Sequence, residues 1–214
     1  MIALMLLIGL LIYIGLAALL TFLIRRRFTA SRAKSIATIV TVLAFILIPT
    51  ADEFAGKWYF DSLCGKEAGA KTSKSIEGVE GMINPSFPLS ELEKMGYRFH
   101  EFQFIGKFYR SGRDSSGKEI EREIQQPSSR YAVKRGPWQK VRLGVSKYEE
   151  LIVDVQTNET LGRYATFSYG GGWVADVLRS FGLTGGITCQ LPPNTQREFY
   201  LNTLKPSKVS SSGK

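Results

Sequence analysis

Acidic residues are missing from the N-terminal part of the chain. Residues 1–51 contain no Asp or Glu, and their only charges are Arg25, Arg26, Arg27, Arg32 and Lys34. Histidine is almost as scarce: His100 is the only one in 214 residues, and cysteine is confined to Cys64 and Cys189. One imidazole and two thiols fall short of the full tetrahedral set of a structural zinc site, so no metal is expected. Nor is there a nucleophile elbow or a glycine loop ending in Lys-Ser/Thr, which removes the commonest signatures of acyl transfer and nucleotide binding. No cofactor is expected.

A concentrated basic stripe is lacking as well. The formal net charge is +9, but the five N-terminal cations account for more than half, leaving +4 over residues 52–214. A nucleic-acid binder would gather its charge on the folded part, so nucleic acid is not an expected partner.

What the N-terminus does have is apolar length. Ile2 to Ile24 is 23 residues without a charge, against the roughly 20 that cross a hydrocarbon core. A second run, Ile36 to Thr50, is shorter at 15 residues, and its alternative reading is a buried helix of a soluble core. Position favours a crossing, because Trp58 and Tyr59 then fall just beyond the helix end, where amphipathic rings sit at headgroup level. A cleaved secretory signal would carry its positive charge before the apolar stretch, whereas here Arg25-Arg26-Arg27 follows it. The sequence therefore predicts a transmembrane hairpin over 1–51, with spans at about 2–24 and 35–51. The basic loop 25–34 is expected in the cytoplasm and both termini outside. Ala33, Ala37 and Thr41 recur at a spacing that permits close helix packing.

After the second run, Asp52-Glu53-Phe54 opens a segment read as a short amphipathic helix ending near Gly65 or Gly69. Asp52-Glu53-Phe54, Lys57-Trp58-Tyr59-Phe60, Leu63-Cys64 and Glu67-Ala68-Gly69, directly behind a membrane span, resemble a family of small bacterial inner-membrane proteins of unknown activity. The resemblance covers roughly the first third of the chain. It implies a bacterial origin and the topology above, and it brings no catalytic residues.

Residues 52–205 read as one extracytoplasmic α+β domain with an antiparallel sheet and short flanking helices. Ser90 and Glu93 have capping-box spacing, with Gly96 as the stop. Tyr97 to Tyr109 suits a strand, Ser111 to Lys118 a turn, and Val141 to Val145 another strand. Leu151–Gln156 and Leu161–Tyr169 read as a hairpin around Thr157–Thr160. Helical spacing returns from Trp173 to Phe181 and from Thr195 to Leu204, and 206–214 reads as a disordered tail.

An exterior location permits Cys64 and Cys189 to form a disulfide. His100, flanked by Phe99 and Glu101, reads as a satisfied structural histidine. The acidic pairs Glu91 with Glu93 and Glu149 with Glu150, and the series Glu119, Glu121, Glu123, read as a cap and solvated strand faces. The one candidate recognition loop is Tyr169-Gly170-Gly171-Gly172-Trp173, flexible backbone between two aromatics. The expected function is that of a non-enzymatic, membrane-anchored envelope protein whose exterior domain binds a protein partner or self-assembles. The alternative is a membrane-tethered enzyme working through acidic residues, which predicts a pocket holding two or more acids.

Overall fold

The computed structural model describes residues 2–27, 31–180, 182 and 185–207. It divides into two compact units, the first made of residues 1–62, 141–146 and 168–187 and the second of the remainder.

The first unit is built on two helices, α1 (Ile2–Arg27) and α2 (Ser31–Lys66), of which α2 continues into the second unit. Leu and Ala dominate α1, in agreement with helix propensity, whereas residues 36–50 of α2 are rich in β-branched Ile, Val and Thr, so there the helix is favoured by context rather than by propensity. Tyr13 on α1 donates a hydrogen bond to the Phe45 carbonyl on α2, and their rings meet edge to face at 5.5 Å. Thr21, Thr38 and Thr41 each return their hydroxyl to the carbonyl four residues back, at 2.7 to 2.8 Å. Each polar side chain is thereby satisfied within its own helix. Thr41 is buried, whereas Leu11, Phe22, Ile36 and Leu47 are exposed.

A separate amphipathic helix after residue 51 is not what forms. α2 runs through that point to Lys66, bent by 47° between Arg32–Phe45 and Thr50–Lys66. The bend spans Pro49, where the missing N–H removes a rung of the helical ladder. Among the described residues no single helix is long and apolar enough to cross a membrane, while this bent pair meets the length and composition of one span.

The rest of the first unit packs where three glycines meet. A Cβ at Gly56 would lie 2.6 Å from the Leu143 carbonyl oxygen, and one at Gly144 would lie 2.1 Å from that of Gly171. Only hydrogen fits there. Val141–Val145, expected as a strand, turns instead: Val145 donates to the Arg142 carbonyl and Leu143 and Gly144 have positive φ. Helix α4 (Trp173–Ser180) follows the glycine loop, and Phe181 lies outside the described residues.

The second unit is an α+β fold around the greater part of a sheet of ten strands. In chain order they are β1 (Gly69–Thr72), β3 (Gly81–Ile83), β4 (Phe99–Phe104), β5 (Lys107–Arg113), β6 (Glu119–Ile124), β7 (Tyr131–Arg135), β8 (Gln139–Lys140), β9 (Val145–Asp154), β10 (Thr160–Tyr169) and β11 (Ile187–Thr188). The main path is β1-β10-β9-β7-β3-β4-β5-β6, with β8 beside β9 and β11 beside β10. The sheet is mixed rather than antiparallel, because β3 runs parallel to both β4 and β7. Two further strands, β2 (Ile76–Val79) and β12 (Leu204–Pro206), pair in parallel. Pro206, expected in a disordered tail, thus belongs to a strand; residues 208–214 lie outside the described ones.

Helices α3 (Leu89–Met95) and α5 (Thr195–Thr203) enclose the core, in which Met82, Leu92, Tyr97, Ile152, Phe199 and Tyr200 are fully or almost fully buried. The capping box of Ser90 and Glu93 does not form. Pro88 occupies the N-cap without a side-chain bond, and Glu93 instead binds Arg113 at 2.6 and 2.7 Å. The helix begins at Leu89, so Ser90 is its second residue and not its cap. Gly96 does stop the helix, left-handed at φ 100°, with its own N–H on Glu93 and that of Tyr97 on Leu92. The strand expected over 97–109 is a hairpin, reversed at Ile105 and Gly106, both at positive φ. Cys64 and Cys189 form a disulfide with Cα atoms 5.5 Å apart, joining positions 125 residues apart in sequence.

Candidate binding cleft

The second unit carries an open cleft of about 480 Å³, within the range of about 300–1,000 Å³ that small ligands and peptide side chains occupy. Phe87, ahead of α3, and Trp138, ahead of β8, supply aromatic wall. Tyr164 and Thr166 enter from alternate positions of β10, which point to one face of the sheet. The disulfide half Cys189 and the first turn of α5 complete the lining. Glu91 and Arg197, of opposite charge, also line it. Glu91 is held below the usual carboxylate range by its hydrogen bond from Lys94.

Behind the wall lies a buried carboxylate. Glu150 on β9 is fully buried and accepts hydrogen bonds from Ser86 Oγ at 2.9 Å, Gln196 Nε2 at 2.6 Å and the Tyr200 hydroxyl. All three donors are neutral. Gln196 is the link to the cleft, since it lines the cavity and holds Glu150. Burial pushes the Tyr200, Tyr164 and Tyr148 phenols upward, with the charge of Glu150 adding to each. They remain protonated hydrogen-bond donors at neutral pH.

Glu150 was expected on a solvated face and is not there. The signal was available: Glu150 stands two residues before Ile152, which places both on the same side of a strand. Its neighbour Glu149 faces the other way and pairs with Lys147 at 2.9 Å. Of the remaining acids, Glu91 and Glu93 bind different cations, Lys94 and Arg113. Glu119, Glu121 and Glu123 alternate along the edge strand β6, where charge discourages further strand addition.

A second buried carboxylate escaped the sequence reading altogether. Glu101 on β4 is fully buried and accepts from Arg110, from the backbone N–H groups of Ser128 and Ser129, and from Ser128 Oγ. Burial raises its pKa, but the Ser129 and Ser128 amides and Arg110 together outweigh that and hold it below the usual range. It is an anchor between strands and a loop. It does not line the cleft.

His100 lies on β4, beside Ser111 and, across the next strand, Glu121. Ser111 gives its hydroxyl to Glu119 at 3.1 Å. The buried Nδ1 of His100 has no hydrogen-bond partner among the described residues, so the expectation of a satisfied histidine is corrected. Burial lowers its pKa, with Glu119 and Glu121 opposing the shift. Among the described residues, no group of three or more His, Cys, Asp or Glu is placed to hold a metal.

The loop at Tyr169–Trp173 belongs to the first unit and is tied to α2. Tyr169 is 3% exposed and donates to the Glu53 carbonyl at 3.0 Å, and the Gly172 N–H donates to the Glu53 carboxylate at 2.7 Å. Burial first, then Glu53 and Asp52, push the Tyr169 phenol up to about 12. A Cβ at Gly172 would sit 2.4 Å from the Asp52 carboxylate, and one at Gly171 2.3 Å from Ala175. Gly170 likewise sits against Arg179. Close approach, as well as turning, accounts for the glycines. Trp58 projects from α2 at 76% exposure and Phe54 at 75%, one helical turn apart, while Tyr59 is half-buried. Arg25, Arg26 and Lys34 line a separate groove between α1 and α2. Arg27 closes α1 and Arg32 lies in the first turn of α2. No protein-family model, curated protein or solved structure matches the chain.

Proposed function

We propose that the chain is a non-enzymatic, membrane-anchored envelope protein whose folded domain binds a segment of a protein partner. The cleft carries the partner reading. Its aromatic walls offer apolar contact area, Thr166, Thr188 and Asn194 offer hydrogen bonds, and no pair of acids shares it.

The membrane reading rests on the N-terminal helices. Its support is the sequence, in which Ile2 to Ile24 carries no charge over 23 residues, and the bent α2, which has the length and composition of one span. An apolar helix that leaves Leu11 and Phe22 exposed needs lipid or a partner to cover it. In this reading the 25–34 loop faces the cytoplasm of a bacterial cell. The domain then occupies the oxidising space outside the inner membrane, which suits the disulfide.

The test is a photo-cross-linking amino acid in place of Trp138, in cells expressing the protein at its native level. A discrete cross-linked species, absent when the probe sits at exposed Ile105, is the expected result. An uncross-linked chain alone would remove the partner reading. The tethered-enzyme alternative asks for two acids in one pocket, and of the residues that line the cleft only Glu91 is acidic.

A further inference from the structure

Between α1 and α2 runs a groove of about 820 Å³, with charge at one end and apolar wall along the rest. Arg25, Arg26 and Lys34 line the charged end, and Ile14, Ala18 and Val42 the apolar part. No carboxylate occurs anywhere in residues 1–51 to neutralise those cations. From Ile14 to Arg25 is eleven residues along one helix, about 16 Å at the helical rise. Ala17 and Ala18 keep this stretch open, because neither has atoms beyond Cβ.

We infer that this groove holds one anionic phospholipid, its phosphate on Arg25, Arg26 and Lys34 and an acyl chain along Ile14, Ala18 and Val42. The proposal rests on the membrane reading given above and adds a defined occupant to it. A basic loop that only sets orientation needs cations but no groove. Here both are present, and the length of the apolar wall matches most of an acyl chain. Fixed cations without an internal counterion draw the headgroup, and the wall selects for a tail.

The experiment uses the full chain, extracted in a neutral detergent and examined by native mass spectrometry with added phosphatidylglycerol or phosphatidylcholine. One phosphatidylglycerol should remain bound, with a preference over phosphatidylcholine of about ten-fold or more. Lys34→Gln should weaken that preference. Ala18→Phe fills the groove without altering charge, so it should abolish retention while the chain still fractionates with membranes. Equal retention of the two lipids, or unchanged retention in Ala18→Phe, would overturn the proposal. So would displacement of the lipid by millimolar inorganic phosphate, which would mark a site for a free anion. Release of the wild-type chain from membranes by alkaline carbonate would overturn the membrane reading itself, and the lipid with it.

Discussion

At the scale of single residues, the two fully buried glutamates behave differently because their partners differ. Glu101 faces a guanidinium and two backbone amides, so its charge is well compensated. Replacing it with Gln would swap an acceptor oxygen for an NH₂ opposite those same donors. Glu101→Gln should therefore cost about 3 kcal/mol, the usual scale for breaking a buried charged network, read as a shift in the urea midpoint. Because its folded pKa lies below the unfolded value, the charged form contributes stability above the unfolded pKa. That contribution is lost as pH falls through the folded pKa. Wild type should lose stability as the pH drops below the ordinary glutamate range, and Glu101→Gln should flatten that part of the profile; identical acid profiles would refute the assignment. Glu150 has only neutral donors, so removing its charge disturbs less than removing its shape. Glu150→Gln should be milder than Glu150→Ala, which leaves Tyr200, Ser86 and Gln196 without an acceptor at a cost of about 1–3 kcal/mol each before relaxation. Thermal melts of the two variants decide the order.

At the scale of elements, the β4–β5 turn stores a correctable defect. Ile105 is β-branched, stands at φ 48° and is 84% exposed. It bears the left-handed strain without burial to offset it. Ile105→Asn or Ile105→Gly should stabilise by about 1 kcal/mol, visible as a higher melting temperature; a neutral or destabilising result would contradict the turn geometry. The opposite holds at Gly171, where φ of 91° and the approach of Ala175 make Gly171→Ala destabilising. These positions show which elements were legible. The hairpin of β9 and β10 was readable because apolar and β-branched runs flank a polar turn, with alternation from Tyr164 to Tyr169 on the returning strand. β3 was not, since three residues carry no period, and its parallel pairing with β4 and β7 depends on partners distant in sequence. The continuity of α2 was hidden by composition: its character changes at Asp52, but the backbone hydrogen bonds do not stop there. The disulfide partners were readable because no other cysteines compete. The cleft was not, because its wall comes from four stretches of chain, 87–91, 138, 164–166 and 188–197, that only the fold brings together.

At the scale of the whole molecule, charge and covalent linkage set the strongest constraints. The disulfide closes 125 residues, for which the loss of unfolded-chain entropy stabilises by about 5 kcal/mol at most. That is a large share of the roughly 5–15 kcal/mol that holds an ordinary domain folded. Cys64→Ser with Cys189→Ser should lower the urea midpoint strongly, and a loss well under 1 kcal/mol would mean that the reduced chain is already constrained. The bridge also has a local effect, because Cys189 lines the cleft next to Leu191 and Pro192. Releasing it frees that wall even in molecules that stay folded. Reduction should therefore diminish cross-linking at position 138 at reductant concentrations where far-UV circular dichroism is unchanged. If binding and folding are instead lost together along one reduction curve, the bridge supports the domain as a whole and gives the cleft no separate rigidity.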